Sequence, residues 1–257
     1  MTLPVEFKPC IIIPVFNHER PLVRVINQLK QYRIPCLLID DGSEQNCAEV
    51  IQDIAMREAW VSAITHPQNR GKGAAIKSGL NSAQSLGYSH ALQIDADGQH
   101  NLADVNCFVE QARTHPGCII IGQPVFDQSI PRIRYYSRYL THLWVWINTL
   151  SFQLKDTMCG FRIYPVVVLN QFIHNNRTGN HMEFDIEILV KLFRQQVCIK
   201  SLATKVNYPE DGLSHFRLWR DNVLISRMHA SLFFSLITSY LPTLLKKHLF
   251  NRQQPYE

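Results

Sequence analysis

Through the first half of the chain, short apolar runs alternate with longer segments whose apolar residues recur at every third or fourth position. The runs have the length and content of buried strands, and the longer segments those of helices with one apolar face. Cys10–Val15 is the first run; Phe16–Glu19 then turns into a helix. Pro21 falls in that helix's first turn, where a missing N–H costs nothing, and Leu22, Val25, Ile26 and Leu29 form its apolar side. Pro35–Ile39 predicts a second strand, and Ala48, Ile51, Ile54 and Ala55 the buried side of the next helix. Further strands are predicted at Trp60–Thr65, His90–Ile94 and Cys118–Gly122, with helices at Ala74–Leu86 and about Leu102–Arg113 between them. This alternation predicts an α/β fold with a doubly wound, mostly parallel sheet flanked by helices.

Beyond Gly122 the rhythm changes. Ser129–Leu150 mixes aromatic and basic residues (Arg132, Arg134, Tyr135, Tyr136, Arg138, Tyr139, Trp144, Trp146), a composition of amphipathic helices. Such helices meet a phosphate at one end and an apolar partner at the other; packing on the sheet with snorkelling arginines explains the composition equally. A helix opens near Phe184, and Val197–Val206 predicts a strand returning to the sheet's edge. In 221–257 Leu224, Ile225, Met228, Leu232 and Leu236 form a stripe at helical spacing. Ser, Thr, Arg and His interrupt it too often for a membrane span. A C-terminal amphipathic helix at a membrane interface, closed by Lys246, Lys247 and Arg252, fits better; a packed core helix would carry the same stripe. The chain thus divides into residues 1–220 and a C-terminal helical segment, 221–257.

Composition narrows the class. With 257 residues, 46% apolar and 18% charged, the chain can bury one large core. The net charge of +5 is concentrated after Gly212, which suits phosphates or an anionic membrane surface. No motif of a nucleic-acid reader accompanies it, so no nucleic-acid partner is expected. Seven cysteines, scattered and without a Cys-x-x-Cys, predict reduced, buried thiols and no disulfide framework. The N-terminus lacks the basic-then-apolar layout of a signal peptide, so a cytoplasmic location is expected.

The candidate chemistry sits at strand ends. His90–Ile94 stops in Asp95 and Asp97, spaced one residue apart. At the carboxyl edge of a parallel sheet ligands bind. A hard divalent cation shared with a phosphorylated ligand would relieve the repulsion between two carboxylates there. An isolated Asp-x-Asp is also what a solvated turn closed by Gly98 looks like. Asp40 and Asp41 stand at the end of the second strand in the same way. The loop His66–Gly73 is polar, basic and glycine-bearing, so its N–H groups could approach an anion at the mouth of a helix. Asp156 and Arg162 share a loop, and Glu183, Asp185 and Glu187 fall in or near the first turn of a helix, where acids are often only dipole partners.

Ile11–Asn17, Ile39–Ser43, Asn69–Ala75, Gln93–His100 and Cys159–Arg162, in this order, resemble the family 2 inverting glycosyltransferases of the GT-A fold. The similarity spans about residues 10–220 and is greatest to the branch of dolichyl- and polyprenyl-phosphate sugar synthases. It implies a nucleotide-sugar donor, UDP- or GDP-linked, and transfer of a hexose to a lipid-linked acceptor such as polyprenyl phosphate, with peripheral contact at the cytoplasmic membrane face. Asp40 or Asp41 would bind the base or ribose with Pro14 and Asn17 nearby, and Lys72 would lie near the nucleotide. Asp95 and Asp97, with Gln99 close by, would hold Mg²⁺ or Mn²⁺ against the diphosphate. Arg138, Arg162 and Arg217 match positions where the branch places arginines on phosphates, and Asp185 or Glu183 sits where relatives carry a base. A hydroxyl acceptor needs that base and a phosphate does not. In one departure, His215 follows Ser214 where the branch often has Lys. A saccharide or small hydroxylated acceptor is the alternative reading, and a degenerate membrane-bound scaffold the non-enzymatic one.

Overall fold

A computed structural model of the protein describes residues 6–125, 132–206 and 217–245. Strands β1 (Pro9–Val15), β2 (Cys36–Asp40), β3 (Val61–Thr65) and β4 (His90–Gln93) are joined by helices α1 (Glu19–Leu29), α2 (Gln45–Arg57) and α3 (Lys72–Ser85). Then come α4 (Val105–Thr114), β5 (Ile119–Val125), α5 (Arg132–Thr149), β6 (Arg162–Pro165), α6 (Val166–Asn175), α7 (Phe184–Arg194), β7 (Ile199–Lys205) and α8 (Leu218–Ser235). The strands form one seven-stranded sheet in the order β3-β2-β1-β4-β6-β5-β7. All neighbouring pairs are parallel except those of β6, which runs antiparallel to β4 and to β5.

Both faces of the sheet are covered, which is why the strand sequences read as continuous apolar runs. Along β1 the side chains alternate by strand geometry. Cys10 and Ile12 face a core shared with α3, α5, α6, α7 and α8, whereas Ile11, Ile13 and Val15 face one shared with α1, α2 and α4. The order β2-β1-β4 turns back on itself around β1, and at such a reversal the carboxyl edge opens a crevice.

Two expectations are corrected. The cysteines are not all free: Cys118 and Cys198 form a disulfide across 80 residues, with Cα atoms 4.6 Å apart. They precede β5 and β7, whose register pairs Ile119 with Ile199, so strand pairing itself brings the two thiols together. Cys107 is exposed, while Cys10, Cys36, Cys47 and Cys159 are free and buried. The C-terminal segment is also longer and more regular than its interruptions suggest. Trp219–Leu245 is helical throughout, with a π-helical turn at Leu236–Tyr240, and is long and apolar enough to cross a membrane by length and composition. Thr238 donates to Phe234 O at 2.8 Å and Thr243 to Ser239 O at 2.7 Å, so these hydroxyls are satisfied within the helix and do not break it. Met228, Leu232 and Leu236 are buried, and 22% of the apolar window is buried overall. The basic residues Lys246, Lys247 and Arg252 lie outside the described residues.

Candidate active site

β4 ends one residue before Ile94, and the chain turns at once through Asp95, Ala96, Asp97 and Gly98. Gly98 takes φ 74°, a left-handed conformation that glycine adopts without strain, and Asp97 Oδ1 accepts the Gln99 N–H at 3.0 Å. Asp97 and Gln99 are half-buried. Asp95 points inward. Lys72 Nζ, at the start of α3, lies 2.8 Å from Asp95 Oδ1 and 2.8 Å from Asp185 Oδ2, in the first turn of α7. His100 Nε2 is 3.4 Å from Asp95 Oδ2, and its ring stacks on Phe161 at 5.1 Å.

These charges stabilise one another. Burial opposes charge on Lys72, but Asp185 and Asp95 outweigh it and push its pKa up. Burial would raise Asp95, but Lys72 and then His100 outweigh it and hold the carboxyl well below its usual range. His100 is likewise pushed up to about 10 by Asp95 against its own burial.

The connection from α5 to β6 backs both carboxylates. A Cβ on Gly160 would meet Asp95 Oδ2 at 2.3 Å, so only glycine lets this loop close on Asp95. Arg162 is wholly buried; it donates to Cys159 O, Thr157 O and Asp185 O, each at 2.7 Å, and stands 3.7 Å from Asp185 Oδ1. Arg162 therefore faces main-chain oxygens and Asp185, where the sequence suggested a phosphate. Gln93 Nε2 completes the surroundings of Asp185 at 3.3 Å. Arg138 on α5 donates through Nη2 to Asp156 Oδ1 at 2.9 Å and through Nε to Oδ2, and Asp156 also accepts the N–H groups of Met158 and Cys159. The resemblance placed Arg138 on a phosphate as well; here Asp156 holds it.

The other acidic pair builds a wall. Asp40 Oδ1 accepts the Ser43 N–H at 2.9 Å, Ser43 Oγ accepts the Asn17 N–H at 3.1 Å, and Asn17 Oδ1 accepts the Glu44 N–H at 2.7 Å. Pro14 is buried in β1 opposite Ile39. Asp41 is buried, and its carboxylate accepts the N–H groups of Arg70 (2.9 Å) and Gly71 (2.7 Å) and contacts His66 Nδ1 at 2.7 Å. Of the N–H groups in loop 66–73 that could approach an anion, those of Arg70 and Gly71 are turned onto Asp41. A buried carboxylate must collect donors, and these N–H groups are the nearest.

Glu183 turns away from Lys72: Oε1 accepts the His181 N–H at 3.2 Å, and a Cβ on Gly179 would stand 2.2 Å from it. Arg217 is exposed where α8 begins, its N–H donating to Asp221 Oδ2 at 2.7 Å. Ser214 and His215, and the side chains of Arg132, Arg134, Tyr135 and Tyr136, lie outside the described residues. The structure thus gathers Asp95, Lys72, Asp185 and Arg162, leaves Glu183 and Arg217 apart, and adds His100, Gln93 and Asp156, to which the sequence reading gave no role. His100 ends the Gln93–His100 motif, and that adjacency was the one signal pointing to it.

Two carboxylates on one turn are a donor set suited to a hard divalent cation. Among the described residues no group of three or more His, Cys, Asp or Glu is gathered as a metal site, so an ion at Asp95 and Asp97 would take further oxygens from its ligand.

Sheet order, crevice and acidic edge define a Rossmann-like α/β protein with a ligand site at the carboxyl edge of its sheet. The chain belongs to glycosyl transferase family 2, whose model matches residues 10–177. It is similar to the UDP-N-acetylglucosamine–dolichyl-phosphate N-acetylglucosaminyltransferase of Methanococcus voltae, 32% identical over 79% of this chain and 87% of that protein. A dolichyl-phosphate beta-glucosyltransferase of Trichomonas vaginalis is 24% identical over 76% of this chain, which spans 64% of that relative. The fold also matches the mannosyltransferase PcManGT of Pyrobaculum calidifontis, solved with GDP-Man and Mn²⁺, at a TM-score of 0.56 and 11% identity over 91% of this chain and 67% of that one.

Proposed function

We propose that the protein transfers a hexose, with inversion, from a UDP- or GDP-sugar to a lipid-linked acceptor such as polyprenyl phosphate at the cytoplasmic face of a membrane. One observation carries the acceptor class: the helix tied to the loop behind Asp95 also presents an exposed apolar face. Tyr139, Leu140, Leu143 and Trp144 of α5 are exposed, as are Phe233 and Phe234 of α8, and Trp144 meets Phe233 edge-on at 6.2 Å. Arg138, on this same α5, is tied to the Asp156 loop that backs Asp95. Large apolar patches of this kind mark contact surfaces, and a lipid places its chain on one and its head group at the edge.

In this reading Asn17, Asp40 and Asp41 shape the nucleotide side, Asp41 through the loop it holds. Asp95 and Asp97, with Gln99 beside them, would hold Mg²⁺ or Mn²⁺, which when bound offsets the charge growing on the departing diphosphate. Asp185 already holds Lys72, Gln93 and Arg162, so it serves as an anchor; an anionic acceptor needs no proton removed. Melting temperatures across UDP- and GDP-sugars, with and without Mn²⁺, identify the donor, and product analysis with polyprenyl phosphate tests the acceptor. Metal-dependent donor binding without product on the lipid phosphate would move the acceptor to a hydroxyl compound and make Asp185 or Glu183 its base.

A further inference from the structure

The two carboxylates that a divalent ion would share are not equally accessible. Among the described residues no basic side chain pairs with Asp97, whose Oδ1 accepts only the Gln99 N–H. Asp95 faces the Lys72 ammonium at 2.8 Å on one oxygen and His100 Nε2 at 3.4 Å on the other, and Gly160 closes against it from behind. Lys72 is not a pendant surface lysine: Asp185 anchors the same ammonium at 2.8 Å from the far side. A divalent ion approaching Asp95 therefore meets a fixed positive charge where it needs an open oxygen.

We infer that Lys72 is a resident counter-cation that keeps Asp95 closed to a free divalent ion, so that the ion gains Asp95 only when it arrives with a nucleoside diphosphate. The diphosphate supplies negative charge for the ion and for Lys72 together, which removes the repulsion between them. The inference rests on the proposed reading of Asp95 and Asp97 as the metal pair. By linkage, nucleotide and metal each strengthen the other's binding by the same factor.

Mn²⁺ binding, followed by electron paramagnetic resonance without turnover, tests this with and without UDP or GDP. The wild type is expected to bind Mn²⁺ weakly alone and about tenfold or more tightly with a nucleotide. Lys72→Met should bind Mn²⁺ alone about tenfold more tightly than wild type, the size of an ordinary coupling between sites. Lys72→Arg should behave as wild type, and adding Asp97→Ala to Lys72→Met should abolish the gain. Unchanged or weaker Mn²⁺ binding by Lys72→Met, with nucleotide still tightening Mn²⁺ in the wild type, overturns the inference and leaves the metal pair standing. No Mn²⁺ binding by the wild type with either nucleotide overturns the pair itself. Should Lys72→Met lack a native circular dichroism spectrum, Lys72→Gln takes its place with the same expectation, and unchanged or weaker Mn²⁺ binding there overturns the inference too.

Discussion

Replacing Arg162 by Met separates a scaffolding role from a phosphate-binding one. The wild-type guanidinium donates to three buried main-chain oxygens at 2.7 Å, and Met donates to none of them. Each buried acceptor left without a partner costs roughly 1–3 kcal/mol. Relief from desolvating the guanidinium, worth several kcal/mol, works the other way, and loss of one member of a buried ion pair typically nets about 3–5 kcal/mol. Asp185 keeps Lys72 as a counter-ion, which places the expected loss near the low end, about 3 kcal/mol. For a chain of this size that lowers Tm by roughly 6–12 °C. Arg162→Lys should recover little, because a point ammonium on a shorter stem cannot span three carbonyls. Calorimetry of both variants, beside KM for donor and acceptor, is the assay. A Tm within about 2 °C of wild type together with a selectively raised KM would refute the scaffolding argument and put Arg162 on a phosphate.

Other expectations follow from packing and charge. Burial pushes His229 down to about 4 from an ordinary 6.5. The unfolded chain then binds more protons between those values, so stability should fall as pH drops from about 6.5 to about 4, by up to ~3 kcal/mol. His229→Phe should flatten that limb of the denaturation profile, and an unaltered slope would exclude His229 as its source. Glutamate at Phe234, Ile237 and Leu241, all exposed, should cut flotation with anionic vesicles about tenfold or more while leaving Tm unchanged, and full flotation would mean the helix Trp219–Leu245 is not the contact. Thiol titration of the denatured, unreduced chain should return five thiols, seven refuting the bridge. Reduction should cost at most about 4.5 kcal/mol, the loop-closure limit for a bridge of this span.

β1, β2 and β4 with their helices are legible because each strand is a buried apolar run closed by a polar or glycine-bearing turn, and the half-exposed edge strand β3 because Val61, Ile64 and Thr65 are β-branched. β6 is not: Arg162 opens it, and a charged residue argues against a central strand until its carbonyl partners are seen. The Val166–Val168 run at the start of α6 reads as strand by propensity, and only packing makes it helix. The acidic ends of β2 and β4 are visible as chemistry, yet Lys72 and Asp185 are far apart in sequence, and nothing local announces that they share an ion pair. Asp41 illustrates the same limit. Its neighbours mark it as a ligand-binding acid, while the structure spends it on the loop beside it.

The reversed direction of β6 has a consequence for how such a chain can diversify. In a purely parallel sheet each connection leaves one edge and must cross to the other, so its length is tied to the crossover. Because β6 runs against β5, the chain leaves β5 and enters β6 at the same, catalytic edge. α5 and the Asp156 loop both belong to the connection between these two strands, which starts and ends at that one edge. Its exposed positions, such as Tyr139, Leu140 and Leu143, can be recomposed without moving a strand, while Val145 and Leu154 stay fixed in the core. Changes of acceptor can therefore accumulate in this one connection while the strands that carry Asp40 and Asp95 stay as they are.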